Sequence, residues 1–510
     1  MSRLRLFPIA LVLAIACESP ANPPAQQAGV QPAAIPFTLK FTPVTWSGPR
    51  LPALQSYTWG SWNGIWIVFG GRINQGLHHF GQTGQNFPVD STNRYLWVID
   101  PMAQTVDSFL LTRLPDSLWP ALTSDNQNFW MDRTRNILYT TGGYGWTADS
   151  STMTTFGQIT AVDVPGVINA VRQKASPAKV AACFRMRRDA RFAVTGAVLD
   201  NIGGTFILPF GQYFDGQYRA FGPSAAESSS GKPFTQRYTN QIALFTLNPR
   251  DSTPTVLAYT ALTSADTAQP YHRRDGNFVD DVDPATGTLR LAGFGGVFPP
   301  GVIGAYDDAV YVTGQAATVD TALHQRFNAY EAPVIPLWDS AGRATYHAFF
   351  GGISGTYYFQ SSEEDSAYRV VTKQGRNDGL PFVADISVLV NRADSAPQYR
   401  EWILPVPTTS DTALVGASGA FIPSHKLFTG QVMTDNGVIR LDRIGPGKSI
   451  PIGWVYGGIQ AQNPLPLEPS TGTAATNLLM GVTLTRTPMG AIPASAGNSA
   501  KPPYSPYPHH

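Results

Sequence analysis

The sequence predicts an all-β protein made of about six four-stranded units, with seven as the alternative count. Three observations carry that prediction. A β-rich run ending in a glycine pair returns along the chain: GIWIVFGGR at 64–72, ILYTTGGYG at 137–145, TLRLAGFGGVF at 288–298, TYHAFFGGIS at 345–354 and IGWVYGGIQ at 452–460. FILPFGQYF at 206–214 is a sixth copy that lacks one glycine. Further strand-like segments flank most copies on both sides. Finally, charged residues make up only 14% of the chain, against about 25% in an average soluble domain. The 48 glycines and 42 prolines among 510 residues suit many short strands joined by irregular turns, and suit long helices poorly.

Each unit reads in one order. A first strand precedes most glycine runs: QSYTWGSW, NQNFWMD, RFAVTGAVLD, GNFVDDVD and APVIPLWD. A tight turn such as WNG at 62–64, TRN at 134–136 or DPATG at 283–287 leads into the glycine strand. After the glycines come a loop and an apolar third strand: RYLWVID, GQITAVDV, NQIALFTLN, AVYVTG, DISVLV and NLLMGVTL. Several units add a more polar fourth strand, such as TVDSFLL or TVLAYTALT. Four antiparallel strands repeated about six times is the layout of a single β-propeller. The segment LVGASGAFIP at 414–423 fits the inner part of the sixth unit better than the head of a seventh. Six units also let the N-terminal FTLKFTPV supply the last unit's outer strand and close the ring. A two-sheet sandwich or tandem small β domains is the competing architecture.

The strand running into a glycine pair resembles the kelch-type propellers, the group that includes galactose oxidase, over residues 37–490. That resemblance implies that the pair ends the second strand, where the crowded inner end of a blade has little room for side chains. Glycine also supplies the positive φ of a sharp strand exit. The RRD, FGGIS and YGGIQ segments further resemble secreted or lipoprotein propellers of Bacteroidota-like bacteria, which implies no particular activity. A propeller fold does not by itself specify a function.

The N-terminus carries an address. In MSRLRLFPIALVLAIAC, Arg3 and Arg5 precede an apolar stretch and small residues ending at Cys17, the form of a secretory signal. Ala14-Ile15-Ala16-Cys17 resembles a bacterial lipobox, which implies lipidation of Cys17; an ordinary cleaved signal is the competing reading. Residues 1–17 are thus read as a lipoprotein signal, 18–36 as a Pro/Ala/Gln-rich disordered tether, 37–490 as the propeller and 491–510 as a disordered tail. The expected location is the bacterial envelope, lipid-anchored, with the outer membrane favoured over the inner because Glu18 is not the aspartate of inner-membrane retention. The lipid is the only membrane attachment expected, since no run of 18 apolar residues follows the signal. The remaining cysteine, Cys183, reads as a small buried hydrophobe.

A net charge of +1 gives no whole-molecule attraction to nucleic acid, and a monomeric propeller is expected. Because neighbouring strands are antiparallel, the residues leading into each inner strand share a face with those after each glycine pair. On that face Arg188, Arg273, Arg274 and Arg326, with Asn328 and Arg72, form a candidate clamp for carboxylate, sulfate or phosphate. Arg188 and Arg273-Arg274 come from two copies of RRDxxF, at 187–192 and 273–278. Tyr144, Trp146 and Tyr213 are candidates to stack on sugar rings. The competing reading makes each Arg-Asp pair a salt bridge that staples blades. Glu331, with His272 and His324, is the one visible acid–base set. Those histidines with His78-His79 form only a weak metal pattern, so no metal or cofactor is assigned. Cys183, in an apolar strand, does not supply the cross-linked cysteine of copper-radical chemistry. Asp280, Asp281 and Asp283 read as turn caps on the opposite face. There is no nucleophile elbow, HExxH or phosphate loop. The favoured function is a binding module for an anionic glycan or an envelope protein. An enzyme acting on acidic sugars, of mutarotase or isomerase type, and a scaffold of an envelope or secretion complex are the alternatives.

Overall fold

The computed structural model describes residues 35–78, 86–218, 234–300, 304–325, 327–354, 356–360, 366–370, 381–394, 399–404, 414–463 and 472–487. The expectations for Cys17, Arg326, the signal, nearly all of the tether and the 491–510 tail fall outside these residues.

The chain folds as a β-propeller. Among the described residues, six antiparallel meanders follow one another along the sequence, and the first strand of each lines the axial cavity. The first comprises Thr58–Trp62, Ile65–Phe69, Tyr95–Asp100 and Thr105–Leu110, and the second Asn128–Asp132, Ile137–Thr141, Gln158–Asp163 and Phe184–Arg188. The third comprises Asp200–Ile202, Thr205–Pro209, Ile242–Leu247 and Val256–Leu262. The fourth comprises Asn277–Val282, Leu289–Phe294, Ala309–Val312 and Ala317–Asp320. The fifth runs Val334–Asp339, Ala344–Ile353, Phe382–Arg392 and Tyr399–Leu404. The sixth takes Ala420–Pro423, Ser449–Tyr456 and Leu479–Arg486 from the C-terminal part and its outer strand, Phe37–Pro43, from the N-terminal part. FTLKFTPV therefore closes the sixth sheet, and GAFIP opens it.

The core lies between neighbouring sheets. Ile67 and Phe69 of the first pack with Leu138 and Val162 of the second. Tyr139 and Ile159 of the second meet Phe206 and Phe245 of the third. Ile207 and Leu244 then meet Leu291 and Val310, and Phe294 meets Phe349. Phe37 meets Tyr346 of the fifth sheet edge to face and Phe41 packs at a tilt on Phe350, with ring centroids 5.3 and 4.8 Å apart. Tyr456 and Ile422 return to Trp66 and Val68 of the first. Each junction buries several large apolar side chains, each contributing about 1.5–3 kcal/mol.

The glycine pairs set the geometry of the inner ends. All twelve paired positions, including Phe210 in the degenerate copy, have φ between +60° and +94°, a region that favours glycine. The first glycine of a pair also abuts the next blade. A Cβ on Gly142 would lie 1.7 Å from the carbonyl oxygen of Val194, and one on Gly351 would lie 2.0 Å from that of Val415. The second glycine typically donates its N–H to the same neighbouring segment, as Gly71 does to Ser124 at 3.1 Å and Gly143 to Val194 at 3.1 Å.

Two features depart from the sequence expectation. A nine-residue helix, Val164–Arg172, sits in the second sheet's outer connection. Asp163 caps it by accepting from the Gly166 N–H at 3.1 Å, and Val164, Val167, Ile168 and Val171 are its buried face. Cys183 packs in the same cluster, buried as expected. Of the aspartates read as turn caps, only Asp283 caps the turn, accepting from the N–H groups of Ala285 and Thr286 at 2.9 Å each. Asp281 is instead buried against Arg290 (2.7 Å) and His347 (3.3 Å), and Asp280 faces the central channel.

Candidate functional site

The segments leading into the six inner strands meet around the axis and are joined head to tail. The N–H of Asn126 donates to the carbonyl of Ser56 (3.1 Å), Asp275 to Gly196 (2.9 Å), Glu331 to Asp275 (3.0 Å), Ser418 to Glu331 (2.8 Å) and Ser56 to Ser418 (3.0 Å). The sixth link is a side chain: Thr195 Oγ1 donates to the carbonyl of Asn126 at 3.1 Å. This ring divides the axis into a small pocket on the glycine face, about 40 Å³, and a channel cavity of about 320 Å³ on the other side.

The glycine-face pocket gathers Arg72 from the first sheet's exit and Arg274 from the fourth sheet's approach, on opposite sides of a six-membered ring. Both are buried. Arg72 Nε stands 3.4 Å from Asp125 Oδ2, its guanidinium lies 4.2 Å from the Phe87 ring centroid, and Nη1 donates to Gln75 Oε1 at 3.2 Å. Its Nε–H has no acceptor in hydrogen-bonding geometry among the described residues. Arg274 is more fully held. Nη1 donates to Asp275 Oδ2 at 3.0 Å, Nη2 to the Tyr218 hydroxyl at 3.1 Å and Nε to the Tyr238 hydroxyl at 3.2 Å. Turned so that its oxygen faces the guanidinium, the Gln212 amide accepts from Nη1 at 2.9 Å.

Burial governs the electrostatics. It lowers the Arg72 pKa against the pull of Asp125, and raises Asp125 to about 7 against the pull of Arg72. Burial also raises Asp275, which Arg274 pulls down. It works to lower Arg274, but Tyr218, Tyr238 and Asp275 outweigh it and hold that group well above its ordinary value. Glu331, next in sequence to the pocket residue Tyr330, rises to about 8 through burial and the nearby Asp275 carboxylate, and its Oε2 accepts from Ser418 Oγ at 3.1 Å.

The pocket walls come from the excursions that follow the glycine pairs. Tyr144–Trp146, Met153–Thr155, Gln212–Asp215 and Thr235–Tyr238 form an extra four-stranded sheet on this face. Its cluster of Tyr144, Met153, Phe214 and Tyr218 backs the arginines. Leu414–Ala417, Ile459–Ala461 and Thr473–Ala475 make a three-stranded sheet from the sixth unit, and Ile459 also lines the pocket.

Of the residues singled out in the sequence, Arg72, Arg274, Tyr144 and His78 line this pocket. The rest stand elsewhere. Arg188 ends an outer strand, paired opposite Gln158 and exposed, so the two RRDxxF copies are not equivalent positions. The counterpart of Arg274-Asp275 in the third sheet is Thr195-Gly196, since Thr195 bridges Gln212 as Arg274 bridges Val297. Arg273 is completely buried within its own blade. It donates to Asp308 Oδ1 (2.7 Å) and to the carbonyls of Pro270 (2.7 Å) and Gly295 (3.1 Å), and lies over the Tyr306 ring. Asn328 staples the fifth sheet through the Gly351 carbonyl and Ser387 Oγ. Tyr213 lies under Arg237, and Trp146 Nε1 donates to the Phe87 carbonyl at 3.0 Å. His272 stacks on Tyr238 with centroids 3.7 Å apart, and burial lowers its pKa. His324 is exposed beside Asp307, and Glu331 lines the channel. The three groups of the acid–base set are therefore not brought together. Asp125, Tyr218 and Tyr330 were not singled out in the sequence. Asp125 and Tyr330 hold the position of Arg274 in the bridge pattern, so the blade register contained that signal.

Fold and site together define a β-propeller with a closed axial ring and a paired-arginine pocket on one face. No protein-family model matches the chain, and no curated protein matches it. Among solved structures, that of YjhT matches with 12% sequence identity and a TM-score of 0.43, over 85% of this chain and 96% of that one.

Proposed function

We propose that the protein is a propeller of kelch type acting as a cell-envelope binding module, and that its glycine-face pocket receives an acidic group of a glycan or of a partner protein. The observation that carries the reading is Arg72. Its guanidinium is buried in the pocket, its Nε–H lacks an acceptor among the described residues, and Arg274 faces it from across the ring. A buried donor left without an acceptor costs about 1–3 kcal/mol, so an incoming carboxylate would gain by pairing with it. The tyrosine-rich rim suits a sugar ring or a side chain carrying the acid. In this reading Cys17 carries a lipid, and residues 18–36 hold the propeller off the membrane, with the outer membrane favoured.

A thermal-shift panel of uronic acids, sialic acid, sulfated glycans and neutral sugars tests it. An acid at a hundred times its dissociation constant stabilises by about 2.7 kcal/mol. The neutral pair Arg72→Gln with Asp125→Asn, which strands no buried charge, is expected to lose that shift. Shifts equal for neutral and acidic sugars, or retained by the double variant, would contradict the reading.

A second reading, an enzyme acting on acidic sugars, has one observation in its favour. Burial beside Asp275 keeps Glu331 protonated at neutral pH, as a general acid requires. Glu331→Gln would then abolish turnover while leaving ligand affinity largely intact.

A further inference from the structure

The channel on the other side of the backbone ring carries a second constellation that the acid-binding reading does not use. Its volume of about 320 Å³ is of the order of small-molecule sites. All six sheets contribute to its wall, through Trp59, Phe129, Asp200, Asp280, Val334 and Phe421 in turn. At its far end the segment 431–440 leaves the sixth sheet, and Ile439–Arg440 pairs in parallel with Val334–Asp339. Asp435 and Gly437 of that segment also line the cavity.

The lining is unbalanced in charge. Among the described residues that line it, four carboxyl groups, on Asp200, Asp280, Glu331 and Asp435, accompany the one guanidinium of Arg133, with no lysine or histidine. Arg133 is partly engaged elsewhere, lying 4.0 Å from the Phe428 ring centroid. Asp200 is 3% exposed. Its Oδ1 accepts from the Asn201 N–H at 2.6 Å, while its buried Oδ2 has no N–H donor among the described residues and the carboxyl's remaining partner is the Asp280 carboxyl, with which it shares a hydrogen bond. That carboxyl lies against the carboxyl of Asp280. Gly437 passes so close to Asp280 that a Cβ there would lie 2.7 Å from its Oδ2.

Two adjoining carboxyls in a recessed wall cannot both ionise cheaply. Burial raises Asp200 to about 6. Burial and then Asp200 raise Asp280 well above the carboxylate range, with Arg133 opposing and Asp281 adding to the rise. A bound ammonium group would displace the proton the pair shares and would donate N–H bonds to both carboxylates in its place. The aromatic faces complete the fit. Trp59 and Phe129 meet edge to face at 6.1 Å, with Tyr57 and Phe421 also lining the cavity, and such faces attract cations.

We infer that the axial channel is a second ligand site, for a small primary amine held between the Asp200–Asp280 carboxyl pair and the rings of Trp59, Phe129 and Phe421. The site is independent of the glycine-face pocket, from which the backbone ring separates it.

The test is calorimetric titration of the intact protein with n-butylamine and putrescine, using n-butanol as the uncharged isostere. Saturable binding of the amines but not the alcohol is expected, with protons released to the buffer near pH 6–7. Asp280→Asn and Asp200→Asn each relieve a buried like-charge contact and so keep the fold. Each is expected to weaken amine binding about tenfold or more and to diminish the proton release. An acidic sugar bound at the glycine face should not compete. Equal binding of butanol, amine binding that survives both Asp→Asn variants, or no saturable binding of either amine up to about 10 mM would each overturn the inference.

Discussion

The backbone N–H of Ser56 donates to the carbonyl of Ser418 at 3.0 Å and thereby ties the first blade to the sixth. This link completes the axial ring, and the ring separates two cavities of different chemistry. The same closure is made at the rim, where Phe37–Pro43 pairs with Leu479–Arg486.

The N-terminal strand should therefore matter out of proportion to its length. Phe41 is 4% exposed and packs on Phe350 across the fifth–sixth junction. Phe41→Ala is expected to cost about 3–5 kcal/mol, read as a lower urea midpoint with little change in slope. A loss below about 1 kcal/mol would mean that this strand is not a closing element.

The glycine pairs make a paired comparison possible. Gly142 and Gly203 have similar backbone, φ +64° and +61°, but only Gly142 abuts another segment, while a Cβ at Gly203 meets nothing within 4 Å. Gly203→Ala should cost only the left-handed strain, about 1–2 kcal/mol. Gly142→Ala should cost about 2–5 kcal/mol, because the Val194 backbone must also move. Equal midpoints for the two variants would refute the close-approach explanation.

Arg273 and Arg274 are neighbours in sequence with different expected roles. Arg273→Ala removes one partner of a buried pair and should destabilise by about 3–5 kcal/mol. Acid-induced thermal shifts of the folded variant should be unchanged. A variant that loses the ligand shift while keeping its stability would reverse the assignment.

Stability should fall from mildly acidic to mildly alkaline pH. Asp125, Asp200 and Glu331 are raised to about 7, 6 and 8, above their unfolded values near 4. Between those limits the native state holds more protons than the unfolded one, so stability decreases as pH rises. It is fully present below about pH 4 and is lost progressively through pH 6–8. The melting temperature should be higher at pH 5 than at pH 8, and Asp200→Asn should flatten the difference. A melting temperature that climbs from pH 5 to pH 8 would contradict the raised carboxyl groups.

Much of this architecture was legible in the sequence because it is written in period and punctuation. GIWIVFGG and its copies locate the second strand of each unit, and the third strands follow as apolar runs. The helix at Val164–Arg172 was missed although Asp163-Val164-Pro165 and the spacing of Val164, Val167, Ile168 and Val171 signal it. The third sheet's first strand is Asp200–Ile202, later in the chain than RFAVTGAVLD suggests, so Arg188 falls at the outer edge of the second blade instead of at the axis. The pocket was only partly legible. Arg72 and Arg274 follow from register, but Asp125, Tyr218 and Tyr330 become neighbours only through a closed ring, which brings together residues far apart in sequence.

A double-mutant cycle on the two pocket arginines tests the central claim most directly. Wild type, Arg72→Gln, Arg274→Gln and the double variant would be titrated calorimetrically with whichever acidic sugar gives the largest thermal shift. Each single substitution is expected to weaken binding about tenfold or more. The effects should also be non-additive, with a coupling of about 0.5–3 kcal/mol, because both guanidiniums grip one acidic group. Affinities unchanged by either substitution would contradict the claim and leave the two arginines as staples of the ring.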